Sequence, residues 1–193
     1  MSRFGIVISG WPAVGKTTIA GELASEFGLV TYNGGDILKM LAHEKGYSNA
    51  TSRDDWWDTQ EAKKFMDERK RDPTFDKKVD GRLAEILRNE RAVITSYTLP
   101  WLVKDDSVIK FWLKGSPRNR ASRMANRDGI TVEEAEKIVS LRDAENVKIY
   151  YSLYGFNFGE DLSVFDYALN TDRLDLDALV EVSKLIVRRQ SGR

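Results

Sequence analysis

Residues 5–28 read GIVISGWPAVGKTTIAGELASEFG. A β-branched apolar run, Ile6 to Ile8, leads through Ser9 into Gly10, and GKTT follows five residues later at the head of a helical pattern. A plain turn needs neither a lysine nor two hydroxyls. Gly10, Trp11, Pro12, Ala13, Val14, Gly15, Lys16 and Thr17 fit G-x-x-x-x-G-K-[ST], the phosphate-binding P-loop. Glycines let the backbone curl until its N–H groups point inward at an anion. The helix behind adds free N–H groups and the positive end of its dipole. Lys16 would put a point charge at the β- and γ-phosphates of ATP, and the Thr17 hydroxyl would face Mg2+, with Thr18 beside it in the first helical turn.

Composition narrows the rest. The 193 residues suit one domain with a sizeable core, and 41% hydrophobic with 31% charged residues is globular usage. Thirty basic residues balance thirty acidic ones, so nothing draws the whole molecule to nucleic acid or to an anionic membrane, and any anion site is local. Cysteine is absent, which excludes disulfides, thiolate metal sites and a cysteine nucleophile. No apolar run is long enough to span a membrane, and the N-terminus reads as a first strand rather than a signal peptide. The expectation is a cytoplasmic protein acting on small molecules, its oligomeric state left open with a monomer favoured.

Strand-like runs recur at 4–9, 29–32, 92–95, 108–113 and 164–169. Helical patterns lie between them: from Gly15, from Asp36 to a stop at Gly46, at 52–70 and 74–90 with Pro73 at the break, at 116–129, at 131–155 and at 175–189. Ser116 with Pro117 and Thr131 with Glu134 read as helix starts. Such alternation predicts an α/β fold with a mostly parallel sheet covered on both faces, whose ligands bind at the carboxyl ends of the strands.

Arginines carry the next signal. Arg118, Arg120, Arg123 and Arg127 crowd one short helix, and Arg142 lies on the next. Guanidinium forks suit the equatorial oxygens of a transferring phosphoryl group, and a solvated basic face is the plainer alternative. Gly34, Gly35 and Asp36 either aim a helix N-terminus at a substrate or simply cap it through Asp36. His43 is the one histidine and reads as a surface or structural residue. Trp56 and Trp57 read as packing residues. No serine sits in G-x-S-x-G.

Together with the P-loop, the segments GGDILKMLA, FDKKVDGRLAEILRNERAVI, FWLKGSPRNRASRMANRDGITVEEA and YYSLYGFNFGEDLSVFDYALNTDRL give the chain a resemblance to the nucleoside monophosphate kinases, and within them to the archaeal type of cytidylate kinase, over nearly its whole length. The resemblance implies a three-layer P-loop kinase fold: a five-stranded parallel sheet, a helical monophosphate-binding region at about 36–90 and a short lid at about 118–148. It implies phosphoryl transfer from Mg-ATP to CMP or dCMP. It makes Lys16, Arg123, Arg127 and Arg142 the catalytic charges and Asn170 and Thr171 neighbours of the ATP base. It puts Asp36, Lys39, Arg82, Tyr97 and Thr98 on the acceptor side.

The chain also departs from that pattern. The third strand of the family ends in an acidic residue, glycine and arginine, where this chain has Thr95-Ser96-Tyr97-Thr98. Lys39 and Ile149 stand at two further positions where the family carries arginine. Lysine does not reproduce a bidentate guanidinium. Three missing acceptor arginines predict a KM for CMP raised by about one to two orders of magnitude, partly recovered by Tyr97→Arg. The alternatives are an ATP-binding P-loop module without transfer chemistry and a kinase of a different small acceptor.

Overall fold

The computed structural model describes residues 4–52, 56, 59–72 and 74–191. Trp57, Pro73 and part of the helix expected at 52–70 lie outside the described residues. The elements run β1 (Gly5–Gly10), α1 (Lys16–Phe27), β2 (Val30–Asn33), α2 (Gly34–Glu44), α3 (Gln60–Arg71), α4 (Thr74–Asn89), β3 (Ala92–Thr95), α5 (Leu99–Leu102), β4 (Val108–Lys114), α6 (Pro117–Asp128), α7 (Val132–Tyr154), β5 (Tyr167–Asn170) and α8 (Leu176–Ser191). The five strands are all parallel, in the order β2-β3-β1-β4-β5.

Residue alternation in β1 sorts the core into two layers. Ile6 and Ile8 face α1 and α8 with Ile19, Leu23, Leu179 and Val187. Val7 faces the other way, onto α2 and α4 with Ile37, Leu83 and Leu87. That second layer continues into a helical annex, where Trp56 is fully buried against Tyr47 and Phe65 and donates its indole N–H to Glu61 at 2.8 Å. His43 lies exposed on α2. A third cluster, Ala121, Met124, Ala125, Ala135 and Val139, zips α6 to α7. A fourth is aromatic: Trp11, Tyr97, Trp101, Trp112, Tyr150 and Phe158 pack where the P-loop meets α7.

The local signals fall as expected at α6 and α7. The Ser116 side chain accepts from the Asn119 N–H, and Thr131 forms a full capping box with Glu134. Three boundaries move. The helix expected from 52 begins at Gln60, because the Thr59 hydroxyl accepts from the Ala62 N–H and caps it there. The second helix begins at Gly34 with Asn33 as its cap residue, so Asp36 sits inside the first turn and is not the cap. The last strand begins at Tyr167, because the 164–166 segment follows the aromatic cluster before it joins β4. The one-turn α5 carries no sequence periodicity and was not expected.

Candidate active site

The P-loop folds over the end of β1. Gly10 has φ +144°, and a Cβ there would lie 2.3 Å from the Leu113 carbonyl oxygen, so only glycine fits. Gly15 has φ +93°. Ala13, at φ +61°, holds a left-handed conformation without glycine's freedom, and its methyl packs onto the α6–α7 cluster. Val14 is buried beneath the loop. Trp11 turns away from the loop's concave side into the aromatic cluster, edge-on to Phe158 at 4.8 Å between centroids, and Arg120 lies over its ring at 5.6 Å. Thr17 and Thr18 stand exposed at the head of α1, and Thr17 lines the cleft in front of the loop.

The Lys16 ammonium donates to the Gly10 and Trp11 carbonyls, each at 2.8 Å, and lies 4.7 Å from the centre of the Tyr97 ring. Burial of the ammonium, helped by the positive charges of Arg120 and Arg142 and opposed by Asp143, lowers its pKa from 10.5 to about 7. A triphosphate bound beside Lys16 would favour the charged form and raise the pKa again, so MgATP binding above pH 7 is expected to take up protons. Calorimetry at pH 8 in buffers of different ionisation enthalpy should show net proton uptake, absent in Lys16→Ala, with affinity falling as pH rises. Binding without proton uptake in the wild type would contradict this.

The cleft encloses about 760 Å³ at the carboxyl ends of β1, β2 and β3. Pro12, Lys16 and Thr17 form one side, and Arg127 from the end of α6 and Arg142 from α7 lie on its rim. The N-terminus of α2 presents Gly34, Gly35 and Asp36. Asn33 fixes that corner: its amide donates to Asp36 at 2.9 Å and its oxygen accepts from the Thr95 hydroxyl at 2.8 Å. The far end is built by Leu38, Met66, Arg69, Asp76, Val79 and Asp80 from three helices, beneath Tyr97 and Thr98.

That far end holds two buried carboxylates. Asp76 is gripped side-on by Arg69, Nε at 3.0 Å and Nη2 at 2.5 Å, while Nη1 faces Met66 Sδ at 3.7 Å. Burial disfavours the Arg69 cation, but its bonds to Asp76 and Tyr150 outweigh this and hold its pKa above the ordinary value. Asp80 accepts from the Thr98 hydroxyl and, at 2.5 Å, from the Tyr154 hydroxyl. Burial raises the Asp80 pKa against the opposing effect of both hydroxyls. The result is a pocket with apolar walls, one fixed guanidinium and two fixed carboxylates.

Among the residues expected from sequence, the structure gathers Pro12, Lys16, Thr17, Asp36, Tyr97, Thr98, Arg127 and Arg142 around this cleft. Five others fall elsewhere. Arg82 is exposed and ion-paired to Glu85 at 3.2 Å, because helical phase turns it away from the face carrying Asp76 and Asp80. Lys39 is half-buried on α2 and does not line the cleft. Arg123 donates to the Thr171 hydroxyl at 2.8 Å and to its carbonyl at 2.5 Å, pinning α6 to the end of β5. Thr171 is thereby occupied, and the Asn170 side chain accepts from the Asp172 N–H at 3.0 Å. Arg120 is buried and forks onto Asp143 at 2.9 and 2.5 Å, bracing α6 against α7. Sequence reading missed Arg69, Asp76 and Asp80. The only local hint was the four-residue spacing of the two aspartates, which puts them on one helical face.

Residues 5–173 match the cytidylate kinase-like family. The chain belongs to this family. As a cytidylate kinase-like protein it is an enzyme of the nucleoside monophosphate kinase group. A cytidylate kinase of Pyrococcus horikoshii is 32% identical over 182 residues, covering 94% of this chain and 87% of the relative. Solved structures share the fold. An uncharacterized protein from Eubacterium ventriosum superposes with a TM-score of 0.69 at 15% identity, covering 98% of this chain and 99% of that one. A shikimate kinase from Bacteroides thetaiotaomicron does so with 0.56 at 16% identity, with the same coverage.

Proposed function

We propose that the protein transfers the γ-phosphoryl group of ATP to CMP or dCMP, giving ADP and the diphosphate. The observation that carries this is the far end of the cleft, where apolar side chains stand beside one guanidinium and two carboxylates, the donor and acceptor types that cytosine needs. Leu38, Met66 and Val79 offer apolar surface to the base faces. Arg69 supplies donors for cytosine's ring nitrogen and carbonyl, and Asp76 and Asp80 supply acceptors for its exocyclic amino group. Uracil presents a carbonyl where cytosine presents the amino group, and two carboxylates there repel it.

The reaction itself needs charge and alignment more than covalent chemistry. Lys16 and the inward backbone N–H groups of the P-loop hold the β- and γ-phosphates. The acceptor's own phosphate oxygen attacks the γ-phosphorus in line, its bond to phosphorus forms as the bridging oxygen leaves with ADP, and no strong general base is required. Arg127 and Arg142 on the rim neutralise the equatorial oxygens. Among the described residues no group of three acidic or histidine side chains could hold a metal alone. The exposed Thr17 hydroxyl fits Mg2+, which favours hard oxygen donors and takes most of its shell from phosphates and water. Bound there, Mg2+ would neutralise charge on the transferring phosphates. In this reading residues at about 36–90 close on the acceptor and those at about 118–148 on the phosphates.

The test is a coupled ADP-release assay with MgATP and a panel of CMP, dCMP, UMP and AMP. CMP and dCMP should exceed UMP in kcat/KM by at least about tenfold, the discrimination of one misplaced hydrogen-bonding group. ATP binding with no acceptor stimulating release would instead support the P-loop module reading. Stimulation by UMP equal to that by CMP would overturn the assignment of the base pocket.

A further inference from the structure

The turn after the third strand carries Ser96-Tyr97-Thr98, and the tyrosine's surroundings give it a task of its own. Its ring lies 4.7 Å from the Lys16 ammonium, within the range of a cation–π contact. The ring is itself fixed. It stacks on Tyr150 of α7 at 6.0 Å with 30° between planes, and meets Phe158 edge-on at 5.7 Å. Its backbone is tied to the first strand, since the Ser9 hydroxyl donates to the Tyr97 carbonyl at 3.2 Å. Two of the three ammonium N–H bonds of Lys16 go to P-loop carbonyls. The aromatic face steadies the same group from outside the loop.

We propose that Tyr97 is a positioning residue for Lys16: its ring, braced by Tyr150 and Phe158, holds the ammonium where the transferring phosphate will sit. This rests on the reading that Lys16 serves the phosphates of ATP. It also reverses what Tyr97→Arg should do. A guanidinium at 97 would stand against the Lys16 cation near Arg142, so the substitution lowers turnover instead of restoring an acceptor contact.

The experiment is a double-mutant cycle between Lys16→Ala and three changes at position 97, with kcat and KM measured for MgATP and CMP and the Kd of MgATP measured directly without acceptor. Thermal melts confirm folding of each variant. Tyr97→Phe keeps the ring and should stay within about twofold of the wild type in kcat. Tyr97→Leu removes it and should lose about tenfold in kcat with the KM for CMP unchanged. In the Lys16→Ala background Tyr97→Leu should cost nothing further. Tyr97→Arg should fall at least as far as Tyr97→Leu. Equal losses for Phe and Leu, a raised KM for CMP with kcat held, or the same Leu penalty with and without Lys16 would each overturn the proposal. If the wild type phosphorylates no monophosphate, the functional reading fails first. The MgATP Kd cycle then still decides between coupling and independence of Tyr97 and Lys16.

Discussion

Lys16→Ala is expected to lower kcat by about 10²- to 10³-fold, the usual cost of deleting one preorganised charge at a transferring group. The structure says why the loss should fall on the chemical step. Lys16 Nζ is placed in advance by the Gly10 and Trp11 carbonyls at 2.8 Å and against the Tyr97 ring, so the group already stands at the site when charge develops. Lys16→Arg should not rescue it, because a planar fork cannot take the place of a compact point charge enclosed by two carbonyls. The fold should survive either change: β1 and α1 are held by Ile6, Ile8, Ile19 and Leu23, none of which touches the ammonium's role. Coupled ADP release at saturating CMP, with thermal melts as control, checks this. Turnover near that of the wild type in Lys16→Ala would remove the P-loop lysine from the mechanism.

How much of this was legible in the sequence follows from the range of each interaction. The P-loop, the capping box at Thr131 and Glu134 and the cap at Ser116 are contacts within a few residues, so spacing alone reveals them. The parallel sheet follows from alternating strands and helices. The acceptor end was not legible. Arg69 becomes a pocket group only because α3 packs across α4 and meets Asp76, and from spacing alone an arginine on a charged helix looks like surface. Arg82 fails for the complementary reason. Motif resemblance marked it, but helical phase rather than motif decides which side of α4 faces the cleft. Arg123 illustrates a third limit. Its charge suited a lid residue, yet the Thr171 carbonyl and hydroxyl at the end of β5 claim it, a partner 48 positions away.

These placements also change the meaning of the missing arginines. The chain lacks the arginine after the third strand, but it carries one buried guanidinium in the same cleft, supplied by a different helix. A raised KM for CMP therefore no longer follows from the residues at 95–98 alone, and in the proposed reading Arg69 takes over acceptor binding.

Arg69→Met should accordingly have two separable effects. The first is on stability. Arg69 and Asp76 are almost wholly buried, with side chains 12% and 10% exposed, and removing the cation strands Asp76 as a charge inside the protein. Breaking a buried pair from one side costs about 3–5 kcal/mol, so the melting temperature should drop sharply. The second effect is on the acceptor. Losing the charged donors should raise the KM for CMP by about 10²-fold, the worth of one or two charge-assisted hydrogen bonds. The double variant Arg69→Met with Asp76→Leu separates them. It removes both charges and replaces them with apolar groups, which is often close to neutral for stability, so the melting temperature should largely return. The KM for CMP should not return, and MgATP affinity should stay near that of the wild type, because both residues lie at the end of the cleft away from the P-loop. A double variant that binds CMP as well as the wild type would show that the Arg69–Asp76 pair only supports the helices around it, and that the cytosine edge is read by other groups.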